Sequence, residues 1–109
     1  QDYDEAQNNL GTMYHLGEGV EQNDAEAMRW YNLAYEQGNE LAASNIGLLY
    51  ENGEGVKKDY KKAAEYYEQA VELGDSSSLE NLADLYEEGG FGLKKDIRKS
   101  KEYRARYAD

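Results

Sequence analysis

The run Asn45-Ile46-Gly47-Leu48-Leu49-Tyr50 decides the fold of this chain, because the chain contains it three times. An earlier copy reads Asn9-Leu10-Gly11-Thr12-Met13-Tyr14 and a later one Asn81-Leu82-Ala83-Asp84-Leu85-Tyr86, so the copies start at 9, 45 and 81, a period of 36 residues. Working outward, Gly17-Glu18-Gly19-Val20 returns as Gly53-Glu54-Gly55-Val56 and, with one inserted residue, as Gly89-Gly90-Phe91-Gly92-Leu93. Ala27, Trp30, Tyr31 and Ala34 map onto Ala63, Tyr66, Tyr67 and Ala70, and Gly38-Asn39 maps onto Gly74-Asp75. Self-similarity at such a period marks one supersecondary unit stacked on copies of itself.

Inside one unit the spacing is helical. Ala42, Ile46, Leu49 and Tyr50 fall on one stripe of a 3.6-residue helix, and Ala63, Tyr66, Tyr67 and Ala70 on a second. Between the stripes, paired glycines can take the positive φ values that end a helix and reverse the chain. Asn23, Asp59 and Asp96 each precede the second helix of a unit, where a short polar side chain caps free backbone N–H groups. The expected fold is all-α: three helix–turn–helix units, repeat one at about 4–39, repeat two at about 40–75 and repeat three at about 76–109. A lone helix pair cannot bury its apolar stripe, so stacking must do so. Gly11 and Gly47 sit within helices, where glycine costs about 1 kcal/mol against alanine. Their presence predicts that the second helix of the unit comes too close for a side chain.

The composition fits a thin, two-layer structure. Mean hydropathy is −1.02 and the net charge −11, values that would suggest disorder were the apolar residues not periodic. Eleven tyrosines supply large buriable rings with polar tips, and proline is absent. With no cysteine, neither a disulfide nor a thiolate metal site can form. No apolar run approaches the ~20 residues of a membrane span, and none of these residues reads as a secretory signal. The chain starts at Gln1 and not at Met, as a segment of a longer protein would.

These residues resemble the Sel1-like repeat, a relative of the tetratricopeptide repeat with a longer, glycine-bearing turn. The second copy carries the pattern most fully: Ala42, Ile46-Gly47-Leu48-Leu49-Tyr50, Gly53-Glu54-Gly55-Val56, Asp59, Ala63, Tyr66-Tyr67 and Ala70. The first copy has the Trp30-Tyr31 pair usual in the family. The resemblance implies an α-solenoid forming a right-handed superhelix, its first helices lining the concave side, and a scaffold or adaptor role in protein–protein interaction. The third copy departs: Ala83 replaces the helix glycine, Ser100 and Lys101 replace alanines, Arg104 replaces the second aromatic, and Tyr107 stands in an alanine position. Its polar last helix reads as a cap with one face in water.

Chemistry finds little foothold. His15 is the single histidine; it occupies the helix-end position of Glu51 and Glu87 and reads as a surface residue. The Gly-x-Gly segments recur once per unit and are turns, not phosphate loops. No metal site is expected without further His or Cys, no cofactor is expected, and no pair of acids is marked out for catalysis, so the chain is read as not an enzyme.

Charge placement carries more information. Residues 1–93 hold 20 acids and 5 bases, whereas 94–109 hold 3 acids and 7 bases. Nucleic acid is disfavoured as a partner, because phosphate neutralisation needs a basic face. By analogy with tetratricopeptide grooves, the inward positions of the first helices are Asn8 and Thr12 in repeat one, with Glu5, His15 and Leu16 beside them. Repeat two offers Leu41, Ser44, Leu48 and Glu51, and repeat three Glu80, Asp84 and Glu87. No lysine or arginine stands in this row, so a basic or amphipathic peptide is the expected ligand, with Leu48 as an apolar anchor. The alternative is a structural spacer or an array associating end to end, basic last helix on acidic first repeat, although a monomer is the primary expectation.

Overall fold

A computed structural model describes residues 3–109. Six helices follow one another: α1 (Tyr3–Leu16), α2 (Asp24–Glu36), α3 (Glu40–Asn52), α4 (Tyr60–Leu73), α5 (Ser78–Glu88) and α6 (Ile97–Ala108). No β-strand occurs among the described residues; an isolated bridge joins Gly90 and Leu93 across the enlarged third turn. Each helix packs on the next, giving three antiparallel pairs stacked into an elongated solenoid of 42 × 28 × 20 Å. Among the described residues no helix is long and apolar enough to cross a membrane.

The ends of the second helices follow from the expected capping residues. Asn23, Asp59 and Asp96 all hold extended backbone, and their side-chain oxygens accept from the N–H groups of Glu26, Lys62 and Lys99. The same three residues donate their own N–H back to the carbonyls of Tyr14, Tyr50 and Tyr86, at 2.8, 2.9 and 2.8 Å. One short polar residue thus fixes both the start of the second helix and its angle to the first.

Two hydrophobic cores lie between the units. One joins Ala27 and Tyr31 to Ile46 and Leu49, with Tyr14, Tyr35, Tyr50 and Tyr66 packed against it. The other joins Tyr60, Ala63, Ala64 and Tyr67 to Leu79, Leu82, Ala83, Leu85, Tyr86 and Tyr103. Tyrosine rings supply much of the volume: Tyr50 stacks on Tyr66 at 5.8 Å, and Tyr86 stacks on Tyr103 at 5.8 Å.

The glycines inside α1 and α3 do what their energetic disadvantage predicted. A Cβ at position 47 would lie 2.8 and 2.9 Å from Tyr67 ring carbons, and one at position 11 would lie 2.6 Å from the Tyr31 ring. Helix pairs one and two are therefore ring-on-glycine contacts. In the third pair both partners change together: alanine stands at 83 and the long, unbranched Arg104 stands where the ring would be.

Polar groups also tie unit one to unit two. Asn45 donates to Asn8 Oδ1 at 3.0 Å, and Asn39, at the start of α3, donates to Asp4 at 3.0 Å; within unit one, Gln37 donates to Gln7. Asn39 additionally caps α3 by accepting from Ala42 N–H at 2.8 Å.

Candidate interaction face

The first helices of the three units place equivalent residues in rows that run across the solenoid: Asn8, Ser44 and Glu80; Thr12, Leu48 and Asp84; His15, Glu51 and Glu87. Along each helix these residues sit three, four and seven positions apart, on one face. The rows differ sharply in how free they are.

Several candidates are held by the fold itself. Asn8 is 6 % exposed and is the acceptor for Asn45, so it joins units more than it faces a ligand. Thr12 shares a 3.0 Å hydrogen bond with the Tyr31 hydroxyl, and Ser44 donates to the Leu41 carbonyl of its own helix at 3.0 Å. Glu51 accepts from the Tyr67 hydroxyl at 2.7 Å. Burial pushes that hydroxyl well above the ordinary phenolic range, and the Glu51 carboxylate pushes the same way.

The acidic end carries a base that the sequence reading placed elsewhere. Arg104 reaches from α6 to both Asp84 and Glu87, each at 2.7 Å. It follows the path of Tyr31 and Tyr67: the residue at this position in every second helix delivers its polar tip to the first-helix row. The expectation of a row without lysine or arginine is therefore corrected, since one guanidinium lies between two of its acids, Asp84 and Glu87. The signal was present in the sequence, in the joint change of glycine to Ala83 and of tyrosine to Arg104.

What is left free is a compact set. Leu41 and Leu48 are 52 % and 39 % exposed on the same face of α3. Glu80 is exposed on α5 and has no ion pair among the described residues. Leu16 is also exposed at the end of α1, and so is Met13, in the register of Leu49 and Leu85, which are buried between units.

His15 is a second correction. Its side chain is 19 % exposed, and Nδ1 lies 2.7 Å from Asp24 Oδ1. The reading as a surface residue failed because Asp24, the first residue of α2, closes over the end of α1 once the turn brings the helices together.

Comparison with known proteins bears on the whole chain. The family model of the Sel1 repeat matches residues 4–39, 41–75 and 76–103. No curated protein matches. Among solved structures, a Sel1 repeat protein from Oxalobacter formigenes is 38 % identical with a TM-score of 0.88, covering 96 % of this chain and 42 % of that one. The protein c5321, a protective antigen present in uropathogenic Escherichia coli strains and displaying an SLR fold, is 37 % identical with a TM-score of 0.89. Its match covers 96 % of this chain and 22 % of that one. Helicobacter pylori cysteine rich protein B is 27 % identical with a TM-score of 0.69, over 98 % of this chain and 84 % of that one. The chain thus spans less than half the length of the first two.

Proposed function

The chain belongs to the Sel1 repeat family, and from that premise we propose that it holds a partner protein on the exposed face of its first helices. Sel1 repeats generally serve as protein–protein interaction modules and are typically non-catalytic. The finer reading, the face and the ligand class, rests on one observation: Leu41 and Leu48 stand exposed on one side of α3, and the equivalent row of α5, the first helix of the next unit, carries Glu80, Asp84 and Glu87. Clustered apolar side chains with a charged margin supply an anchor and a means of orienting it.

The proposed ligand is a basic, amphipathic segment. Its apolar side chains rest on Leu41 and Leu48, and its bases face Glu80. Asp84 and Glu87 are only partly available, because Arg104 already compensates one of their two charges. Asn8, Thr12, Ser44 and Glu51 act by setting the shape of the face. Catalysis has no part in this reading, and no cofactor or nucleic acid is invoked.

The test is calorimetric titration with a helical peptide carrying leucines on one side and lysines on the other. Binding should weaken with salt, weaken in Leu48→Ser, and weaken in Glu80→Lys. Affinity indifferent to all three would overturn the proposal. Light scattering at low and high salt separates it from end-to-end association of basic α6 with acidic repeat one. Salt-sensitive growth in mass with concentration favours the array; a constant monomer mass favours the binding module.

A further inference from the structure

We propose that His15, Asp24 and Glu54 form a binding site for a divalent transition-metal ion, Zn²⁺ being the natural probe, that pins repeat one to repeat two. The three residues come from three separate places: the end of α1, the start of α2 and the turn between α3 and α4. One ligand atom from each lies within 4.8 Å of the others, and all three residues are partly buried. Zinc binds imidazole nitrogen and carboxylate oxygen at about 2.0–2.2 Å, so ligands of one ion stand roughly 3 Å apart. His15 and Asp24, hydrogen-bonded at 2.7 Å, would part slightly to take the ion between them. The Glu54 side chain would turn inward to close the rest of the 4.8 Å spread.

Two features make this more than a chance gathering of acids. The first is the backbone that holds the carboxylates together. Gly55 takes φ +74, and a Cβ there would lie 2.7 Å from Asp24 Cβ and 3.0 Å from its backbone carbonyl carbon. The turn carrying Glu54 is therefore pressed directly onto the residue carrying the other carboxylate.

The second is that no lysine or arginine compensates the pair. Asp24 bonds only to His15, and Glu54 accepts only from Asn52 Nδ2 at 3.1 Å, among the described residues. Two carboxylates brought together without a lysine or arginine favour a bound cation. The imidazole selects among cations: histidine suits zinc, copper or nickel, whereas magnesium and calcium prefer all-oxygen sets. The next interface lacks the arrangement, with Glu51, Tyr60 and the glycine turn at 89–92 in the corresponding places. With only His and Cys counted as ligands no site is expected here; Asp24 from the same unit and Glu54 from the next would complete one.

An ion held this way would fix the angle between the first two units, and with it the spacing of α1 and α3. Because the chain has a single histidine, the His15 ring gives one unmistakable pair of nitrogen resonances. The experiment titrates ZnCl₂ into the full chain while following these signals and, in parallel, the melting temperature. One equivalent should shift the ring nitrogens, and the melting temperature should rise with zinc concentration. Glu54→Gln, which leaves the His15–Asp24 contact in place, should weaken zinc binding by about tenfold or more. His15→Gln, checked for fold by circular dichroism, should abolish the stabilisation, and MgCl₂ should not replace zinc. Ring signals unmoved by zinc would overturn the proposal. So would a zinc response equal in the native chain and Glu54→Gln, which would mean an adventitious ion on surface carboxylates only.

Discussion

Replacing Gly47 by alanine sets two effects of known size against each other. In an exposed helix the change would stabilise by about 1 kcal/mol, because alanine has the higher helix propensity. Here the new Cβ would lie 2.8 Å from Tyr67 Cε1, 2.9 Å from Cδ1 and 3.2 Å from the Ala63 carbonyl oxygen. Tyr67 has nowhere to go: it is fully buried, and its hydroxyl is bonded to Glu51. Helix α4 must move away from α3, and forcing an extra methyl into a packed interface costs about 1–3 kcal/mol.

The net expectation for Gly47→Ala is a loss of up to about 2 kcal/mol, at roughly 4–8 °C in melting temperature for each kcal/mol in a domain near this size. The mirror change, Ala83→Gly, should also destabilise. There the fully buried methyl is lost and glycine's helix penalty appears, together about 1–2 kcal/mol. Urea unfolding followed by far-UV circular dichroism measures both. If Gly47→Ala raised the midpoint, helix propensity would govern the position and the ring-on-glycine account of the first two pairs would be refuted.

Three further outcomes are expected. Tyr67→Phe removes the hydroxyl that donates to Glu51 and should lower stability by about 1–2 kcal/mol in the same urea assay, since Glu51 can partly rehydrate. Alkaline pH should destabilise the fold. Burial first, and then neighbouring carboxylates, raise the Tyr67 and Tyr103 hydroxyls above their unfolded value of about 10. Their contribution is therefore complete below that pH and is lost as pH rises past it toward the folded values. Melting curves at successive pH values, with ultraviolet detection of tyrosinate, should show ionisation of these rings arriving with unfolding and not before it. Arg104→Gln should change stability by less than about 1 kcal/mol, because the pairs it breaks are exposed. It should nonetheless strengthen salt-sensitive binding of a basic peptide by freeing Asp84 and Glu87, which titration calorimetry would detect.

The fold was legible because each unit states it independently. The Asn-Leu-Gly-x-x-Tyr stripe, the glycine turn and the Asn23, Asp59 and Asp96 caps are local signals, and local hydrogen bonds carry them out. The candidate face was only half legible. Helical spacing identifies which residues share a side of α1, α3 or α5, and Leu41 and Leu48 are indeed exposed. It does not identify what arrives from a neighbouring helix. Asn8 is taken up by Asn45 from the next unit, His15 by Asp24 across a turn, and Asp84 and Glu87 by Arg104 from α6. Each of these depends on how antiparallel helices register, which residue type alone does not reveal. The paired replacement at 83 and 104 was the one trace of such a contact in the sequence.

The central claim is that the first-helix face is where a partner sits. Backbone amide mapping during titration with the basic amphipathic peptide tests it most directly. Saturable shifts should concentrate at Leu41, Ser44, Leu48, Glu80 and Asp84 and fade at high salt. Shifts confined to the outer surfaces of α2, α4 and α6, or none at saturating peptide, would contradict it.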